Sequence, residues 1–271
     1  MSRTWFITGA GRGFGKEFAK AALGRGDQVA ATARDTEALA DLVEKYGDAV
    51  LPLALDVTDR TAVVAAVAAA QERFGGLDVV VNNAGYGLFG AIEEVSAEQF
   101  RQQLEVNVLG PFHVTQAVLP ILREQGRGHI IQISSIGGVA TFPLLGTYHA
   151  SKWGLEAFSE SLAQEVAGFG IKVTLVEPGA YGTDWGGSSA VWAEGQPQYQ
   201  PIREAMVAAA GAPQYNPAHV GAAILAVADA AEPPLRVFFG RAPLDIAEQV
   251  YQSRLETWRK SADIAALAEG R

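Results

Sequence analysis

Short, nearly unbroken apolar runs alternate with longer helical patterns from Trp5 to Glu177, and this rhythm leaves few architectures open. Trp5-Phe6-Ile7-Thr8 reads as a first strand, followed by a glycine turn and a helix to about Arg25. Further strands are expected at 28–33, 50–55, 77–82, 129–134 and 172–177, with helices at 37–46, 59–74, 97–123 and 148–169. Pro111 and Pro120 mark expected irregularities in the long 97–123 helix. Strands apolar on both faces belong in a parallel sheet covered on both sides. The predicted class is therefore α/β, a doubly wound parallel sheet of Rossmann type with helices on both faces.

The rhythm breaks after Gly179. Residues 180–217 are rich in Gly, Pro, Gln and aromatics, with one helical piece at 202–210. So long and irregular a stretch is expected to be a substrate loop or lid. A helix at 218–231 and a strand at 235–240, able to extend the sheet edge, come next. One or two helices over 243–271 would form a C-terminal helical extension, and the whole of 1–271 is expected to be one domain.

Composition narrows the partners. Apolar residues make up 49% and charged residues 19%, which fits a globular protein with a large core. A net charge of −9 argues against nucleic acid or an anionic membrane as a partner. With no Cys there are no disulfides, thiolate nucleophiles or Cys-ligated zinc, and His113, His129, His149 and His219 lack ligand spacing, so no metal is expected. A strand beginning near Arg3 leaves no room for a signal peptide, and the longest apolar stretch, 62–70, is too short for a bilayer. A cytoplasmic location is the expectation.

Thr8-Gly9-Ala10-Gly11-Arg12-Gly13-Phe14-Gly15 lies between the first strand and its helix, where glycines permit close backbone approach and the helix N-terminus favours a pyrophosphate. The spacing is Thr-Gly-x-x-x-Gly-x-Gly, since the third Gly of G-x-G-x-x-G would fall on Phe14. After the second strand the chain reads Thr32-Ala33-Arg34-Asp35. No acid stands at 33 to hold a ribose hydroxyl, and Arg34, with Arg12, can face a 2′-phosphate. NADP(H) is favoured over NAD(H), although a shift of one residue would make Asp35 the ribose acid.

Further along, Tyr148 and Lys152 stand at i and i+4, one turn apart on one face of a helix, with Ser135 thirteen residues upstream. An ammonium beside a phenol favours the phenolate, which suits a proton donor and acceptor for oxygen. His149 points about 100° away from Tyr148 and is expected to be structural. Nothing pairs with Asp184, and Glu93-Glu94 is expected to be a solvated face.

Taken in order, the Thr8–Gly15 turn, Asp56, Asn82-Asn83-Ala84-Gly85, Asn107, Ser135, Tyr148 with Lys152, and Pro178-Gly179 with Thr183 resemble the short-chain dehydrogenase/reductase family over roughly Arg3 to Thr183. The resemblance implies Tyr148 as general acid in reduction and base in oxidation. It implies Lys152 as holder of the nicotinamide ribose, lowering the Tyr148 pKa together with the oxidised nicotinamide. Ser135, rather than its neighbour Ser134, would orient the carbonyl oxygen, and Asn107 would keep a water in a proton relay. The implied cofactor contacts are Thr8, Gly9, Arg12, Gly13, Phe14, Gly15, Arg34, Asp56, Val57, Asn83, Ala84, Gly85, Tyr148, Lys152, Pro178, Gly179, Tyr181 and Thr183. Asp56 would meet the adenine or close a strand-end turn, and Thr183 the carboxamide or a loop cap. The helix from Tyr148 to Leu162 is similar to the 17β-hydroxysteroid and retinol dehydrogenase branch. A homodimer or homotetramer through the 97–123 and 148–169 helices is also implied.

Substrate is poorly encoded. Thr141 to Gly146, with Tyr181, Trp185, Trp192, Tyr199 and Met206, would give an apolar pocket for a bulky ketone or alcohol, or would simply pack the loop. Two further readings stay open: an NAD-linked alcohol dehydrogenase of the same fold, and a non-catalytic module that senses NADP(H).

Overall fold

The computed structural model describes residues 2–187, 189–210 and 214–270. Residues 188 and 211–213 of the 180–217 loop, and the side chain of Asp184, lie outside the described set. Seven parallel strands form the central sheet: β1 (Thr4–Ile7), β2 (Gln28–Ala33), β3 (Val50–Ala54), β4 (Val79–Asn82), β6 (Gly128–Ile133), β7 (Ile171–Pro178) and β9 (Arg236–Phe239). Their spatial order is β3-β2-β1-β4-β6-β7-β9. The strand expected at 235–240 does extend the edge, pairing with β7 in parallel. A small parallel pair, β5 (Leu88–Phe89) with β8 (Val191–Trp192), joins the loop after β4 to the 180–217 segment and was not foreseen.

The pleat explains the unbroken apolar strands. Trp5, Ile7, Val79, Val81, Ile131 and Ile133 enter one core, under α1 (Gly13–Gly24), α2 (Ala40–Tyr46) and α8 (Val220–Asp229). Their neighbours Phe6, Val80 and Ile130 enter the other, under α3 (Arg60–Phe74), α5 (Gly110–Gln125) and α6 (Gly146–Val166). Period-two alternation with both faces covered buries both sets of strand positions and so favours apolar residues at each.

The long 97–123 helix is divided. α4 (Ala97–Leu104) opens on a capping box in which Ser96 and Gln99 satisfy each other's backbone N–H groups. A π turn at Glu105–Leu109 follows, and α5 begins with Pro111 in its first turn. Proline has no N–H and its ring collides with the carbonyl four residues back, so the extra residue of the π turn falls next to Pro111. Pro120, the other expected irregularity, lies within α5. α6 starts at Gly146, two residues before the expected Tyr148, and two after Leu144, a buried non-glycine residue at φ +64°. α7 (Gln200–Ala210) is the helical piece of the loop; α9 (Ala242–Lys260) and α10 (Ala262–Ala268) make up the C-terminal extension. Arg254 of α9 donates to the carbonyl of Val139 at 3.0 Å and lies over the Trp153 ring, tying the extension to α6.

Candidate active site

Chain crossings run outward in opposite directions from β1 and β4, so the turns after these strands flank the crevice where such sheets bind ligands. The two turns are sewn together. Thr8 Oγ1 accepts from the N–H groups of Asn83 (2.9 Å) and Ala84 (3.0 Å), while Asn83 Nδ2 donates to the carbonyls of Thr8 (3.0 Å) and Gly9 (3.1 Å). Gly9 and Gly13 adopt positive φ. A Cβ on Gly15 would lie 2.3 Å from the Gly9 carbonyl oxygen, so only glycine fits and α1 starts hard against the strand. This is a cradle that a side chain would fill, and it presents helix N–H groups to an anion.

Arg12 and Arg34 are exposed beside it, and neither has an ion pair among the described residues, whereas Lys16 pairs with Asp41 at 2.8 Å. Asp35 is engaged elsewhere: its carboxylate caps the turn Thr36–Leu39 by accepting from Glu37 N at 3.0 Å. Asp56 accepts from the N–H and hydroxyl of Thr58, which is the strand-end turn role. Val57 is buried against Gly110, and its carbonyl meets His113 Nδ1 at 3.2 Å. Phe14 packs edge-on against Tyr181 at 4.9 Å, closing one wall. Pro178 ends β7, and Gly179 is held by its N–H to Phe239. Thr183 Oγ1 accepts from Trp185 N at 3.3 Å, a capping contact.

Across the crevice, α6 brings Tyr148 and Lys152 over the end of β6, both buried. Ser135 follows β6 in an extended conformation, accepts from Gly137 N at 2.9 Å, and has its side chain beside the Tyr148 phenol. Lys152 Nζ donates to the Ile133 carbonyl at 2.8 Å and lies 5.8 Å from the Tyr148 ring centre. Burial pushes the Tyr148 phenol up to about 12, with the Ser135 hydrogen bond partly opposing, and pushes the Lys152 ammonium down to about 8. The protein's own groups therefore do not produce the expected fall at Tyr148, because desolvation outweighs them. Asn107 sits in the π turn. Its amide donates to Tyr86 O and Ser151 Oγ, and its carbonyl accepts from Tyr86 N, each at 3.1 Å. The amide is thus committed to the protein. His149 is structural: Nε2 accepts from Phe142 N, so Nδ1 carries the proton and donates to Gly137 O.

The 180–217 segment covers this corner. Trp185 lies 4.9 Å from the Tyr148 ring and 5.2 Å from Phe89, which stacks on Trp192 at 4.4 Å. Of the expected solvated pair Glu93-Glu94, Glu93 is exposed and Glu94 is not. The Glu94 carboxylate is fully covered and accepts from Ala91 N (2.7 Å), Gln196 N (2.7 Å) and Arg203; that pairing, first among the causes, holds its carboxyl down to about 2. Glu93 accepts from the Tyr199 hydroxyl at 2.6 Å. Adjacent acids thus pin the loop at two points, which a local pattern cannot reveal.

The sequence matches the short chain dehydrogenase family over residues 3–193. The chain belongs to that family. An oxidoreductase of Botryotinia fuckeliana is 44% identical over 268 residues, covering 96% of this chain and 98% of the relative. Retinol dehydrogenase 7 of Mus musculus is 40% identical over 181 residues, 66% of this chain and 57% of that protein. A short-chain dehydrogenase from Streptomyces avermitilis superposes with a TM-score of 0.91 at 39% identity, covering 98% of each chain. Two further solved relatives carry cofactor. One from Burkholderia cenocepacia is in complex with NADP (TM-score 0.76, 25% identity, 96% and 97% of the chains). A 3-ketoacyl-(acyl-carrier-protein) reductase from Brucella melitensis is complexed with NADH (TM-score 0.74, 28% identity, 88% and 98%). The protein is an NAD(P)-dependent oxidoreductase of this family.

Several residues that shape this short-chain dehydrogenase site escaped the sequence reading. Ser151, fully buried, links the Asn107 amide to the Tyr148 carbonyl, to which it donates at 2.7 Å. Its position three residues after Tyr148 on one helix face was the available signal. Tyr215 accepts at its hydroxyl from Arg241 N and Ala242 N, and its ring packs on Tyr181. Glu94, Arg203 and Tyr215 carry no motif.

Proposed function

We propose that the protein reduces a bulky, apolar ketone or aldehyde, or oxidises the corresponding alcohol, using NADP(H), with Tyr148 moving the proton. The carrying observation is the buried pair Tyr148 and Lys152 with the half-buried Ser135 at the end of β6, and the Trp185 ring laid against the phenol. When bound, the cofactor supplies or accepts the hydride. Ser135 orients the carbonyl oxygen, and Tyr148, held as a neutral phenol at physiological pH by its burial, gives that oxygen a proton. Lys152 holds the ribose, and Asn107 and Ser151 fix the helix that carries both. Phe89, Trp185 and Trp192 exclude water and favour an apolar substrate.

Unpaired Arg12 and Arg34, the absence of an acid at position 33 and the capping use of Asp35 all favour a 2′-phosphate. An NAD-linked enzyme of the same fold is the second reading, favoured by the NADH complex of the Brucella melitensis relative. A redox-sensing module has no use for the buried proton-transfer group. Among the described residues no helix is long and apolar enough to cross a membrane, and a cytoplasmic setting completes the proposal. Partly exposed Leu109 and Phe112 at the start of α5 favour a homodimer or homotetramer, and a monomer mass by light scattering would contradict it.

The deciding experiment is a carbonyl panel followed by loss of NADPH absorbance, run with wild type and Tyr148→Phe. The variant is expected to lose about 10²–10⁴-fold in kcat while binding NADPH as before. Retained turnover would reject the mechanism.

A further inference from the structure

Lys152 is a buried cation whose hydrogen-bond partner is neutral, the Ile133 carbonyl, and among the described residues no carboxylate lies within ion-pair distance of it. Burying an ammonium without a counter-charge costs several kcal/mol or forces it neutral. One turn along α6 stands Glu156, 5% exposed. Its carboxyl packs under the turn that carries Ser135: a Cβ on Gly138 would lie 2.9 Å from Glu156 Cγ and 2.7 Å from Ser134 Oγ. Lys152 and Glu156 therefore meet the same stretch, Ile133 to Gly138, from successive turns of one helix.

Glu156 is itself fixed from outside. Its Oε2 accepts from Arg236 Nε of β9 at 3.0 Å, and Arg236 also pairs with Glu160 at 2.8 Å and lies 3.5 Å from Glu177 of β7. Glu156 also lies against the buried carboxyl of Glu177, and among the described residues Ser134 Oγ and Ser159 Oγ have no hydrogen-bond partner. Arg236 and the Glu177 carboxyl thus hold the Glu156 charge inside the fold, one turn from Lys152.

We propose that Glu156 is a positioning residue for Lys152: clamped by Arg236, its carboxylate is the buried counter-charge that keeps the ammonium protonated and available to the cofactor ribose. The proposal rests on the reading of Lys152 given above. The surrounding charges fit it. Facing Glu156 are Lys152 and Glu160 from α6, Glu177 from β7 and Arg236 from β9; the Ser134–Gly138 turn brings only hydroxyl and backbone groups. Facing Lys152 are Tyr148 and Glu156 from α6, the Ile133 carbonyl from β6, and the uncharged Gly85 and Asn107. Burial and the Glu156 charge push the Glu177 carboxyl up, toward the neutral form that does not compete for Lys152. Burial lowers Lys152 to about 8 even with Glu156 opposing, so the ammonium is lost as pH rises through that value.

The test needs no substrate. NADPH affinity is measured by quenching of tryptophan fluorescence from about pH 6 to about pH 10 in wild type, Glu156→Gln, Glu160→Gln, Glu156→Asp and Lys152→Met. Wild-type affinity is expected to fall above the Lys152 pKa, and that fall should vanish in Lys152→Met. In Glu156→Gln it should begin about one pH unit lower, an affinity loss of up to about fivefold at pH 8. Glu160→Gln, which also touches Arg236 but is exposed, should keep the wild-type profile. Should Glu156→Gln fail to fold, Glu156→Asp, with its carboxylate drawn back by one methylene, should move the limb the same way by less. An unmoved limb in the folded Glu156 variant, or an equal shift in Glu160→Gln, overturns the proposal. Absence of binding of NADPH and NADH by wild type at every pH would instead overturn the cofactor reading beneath it.

Discussion

The cradle and the lid meet at one crevice but are held by different means. Around β1 and β4 the contacts are backbone to backbone or one short side chain to backbone: Thr8, Asn83 and Gly15 leave the turn almost no alternative. The lid hangs instead on a few side-chain attachments, namely Glu94 to Arg203 and Gln196, Glu93 to Tyr199, the rings around Phe89, and Tyr215 against the start of α9. A pyrophosphate is the same in every turnover and rewards a rigid cradle. A bulky substrate has to enter past Trp185, and a cover secured by a handful of contacts can open without disturbing the sheet.

The largest effect should come from disturbing the rigid side. Gly15→Ala puts a methyl into the Gly9 carbonyl oxygen, a backbone atom that cannot swing aside. A cost of about 1–3 kcal/mol is expected, together with lost cofactor affinity; thermal unfolding with and without NADPH measures both. An undiminished NADPH-induced rise in Tm would show that the cradle is less rigid than its contacts indicate.

Next comes the charge beside the cradle. Arg34→Asp should raise the NADPH KM at least about tenfold and move preference toward NADH, since an ionic hydrogen bond is worth about 1.5–3 kcal/mol. An unchanged ratio of the two KM values would return the ribose role to Asp35.

On the lid side the effect should appear in KM before stability. Glu94→Gln removes the partner of Arg203, so substrate KM should rise severalfold with little change in Tm. The pH dependence has a definite sign. The Glu94 carboxyl is lowered from 4.5 to about 2, so its contribution is fully present above pH 4.5 and is lost as pH falls toward 2. Limited proteolysis within 180–217 should accelerate over that window in wild type, whereas the variant should be cut faster already at neutral pH and lack that acceleration. Tyr199→Phe, which removes a single exposed bond to Glu93, should change KM least of all.

The same contrast governs what the sequence revealed. The strands, the Thr8–Gly15 turn and the Tyr148–Lys152 spacing are local patterns, each set within a few residues of backbone, and they could be placed in advance. The lid attachments join residues 102 to 109 positions apart, so Glu93-Glu94 looked like surface. Leu144 in the left-handed region was equally hidden, because no glycine announces it. That conformation costs on the order of 1–3 kcal/mol and turns the chain into α6 just ahead of Tyr148. Asp56 and Thr183 were legible as sites, but the turn and cap they form are the roles the geometry displays.

The π turn at Glu105–Leu109 has a consequence for how the gene can vary. One additional residue there sets the rotational phase between α4 and α5, and Asn107 lies at the offset. Removing a single residue from this stretch would take away the spare residue that carries the chain past Pro111, whose ring and missing N–H bar a regular α-helix there. The Asn107 amide would then swing away from Tyr86 and Ser151 even though every named residue was still encoded. At this point the chain specifies its site by count as well as by chemistry, and a deletion would be more damaging than most replacements.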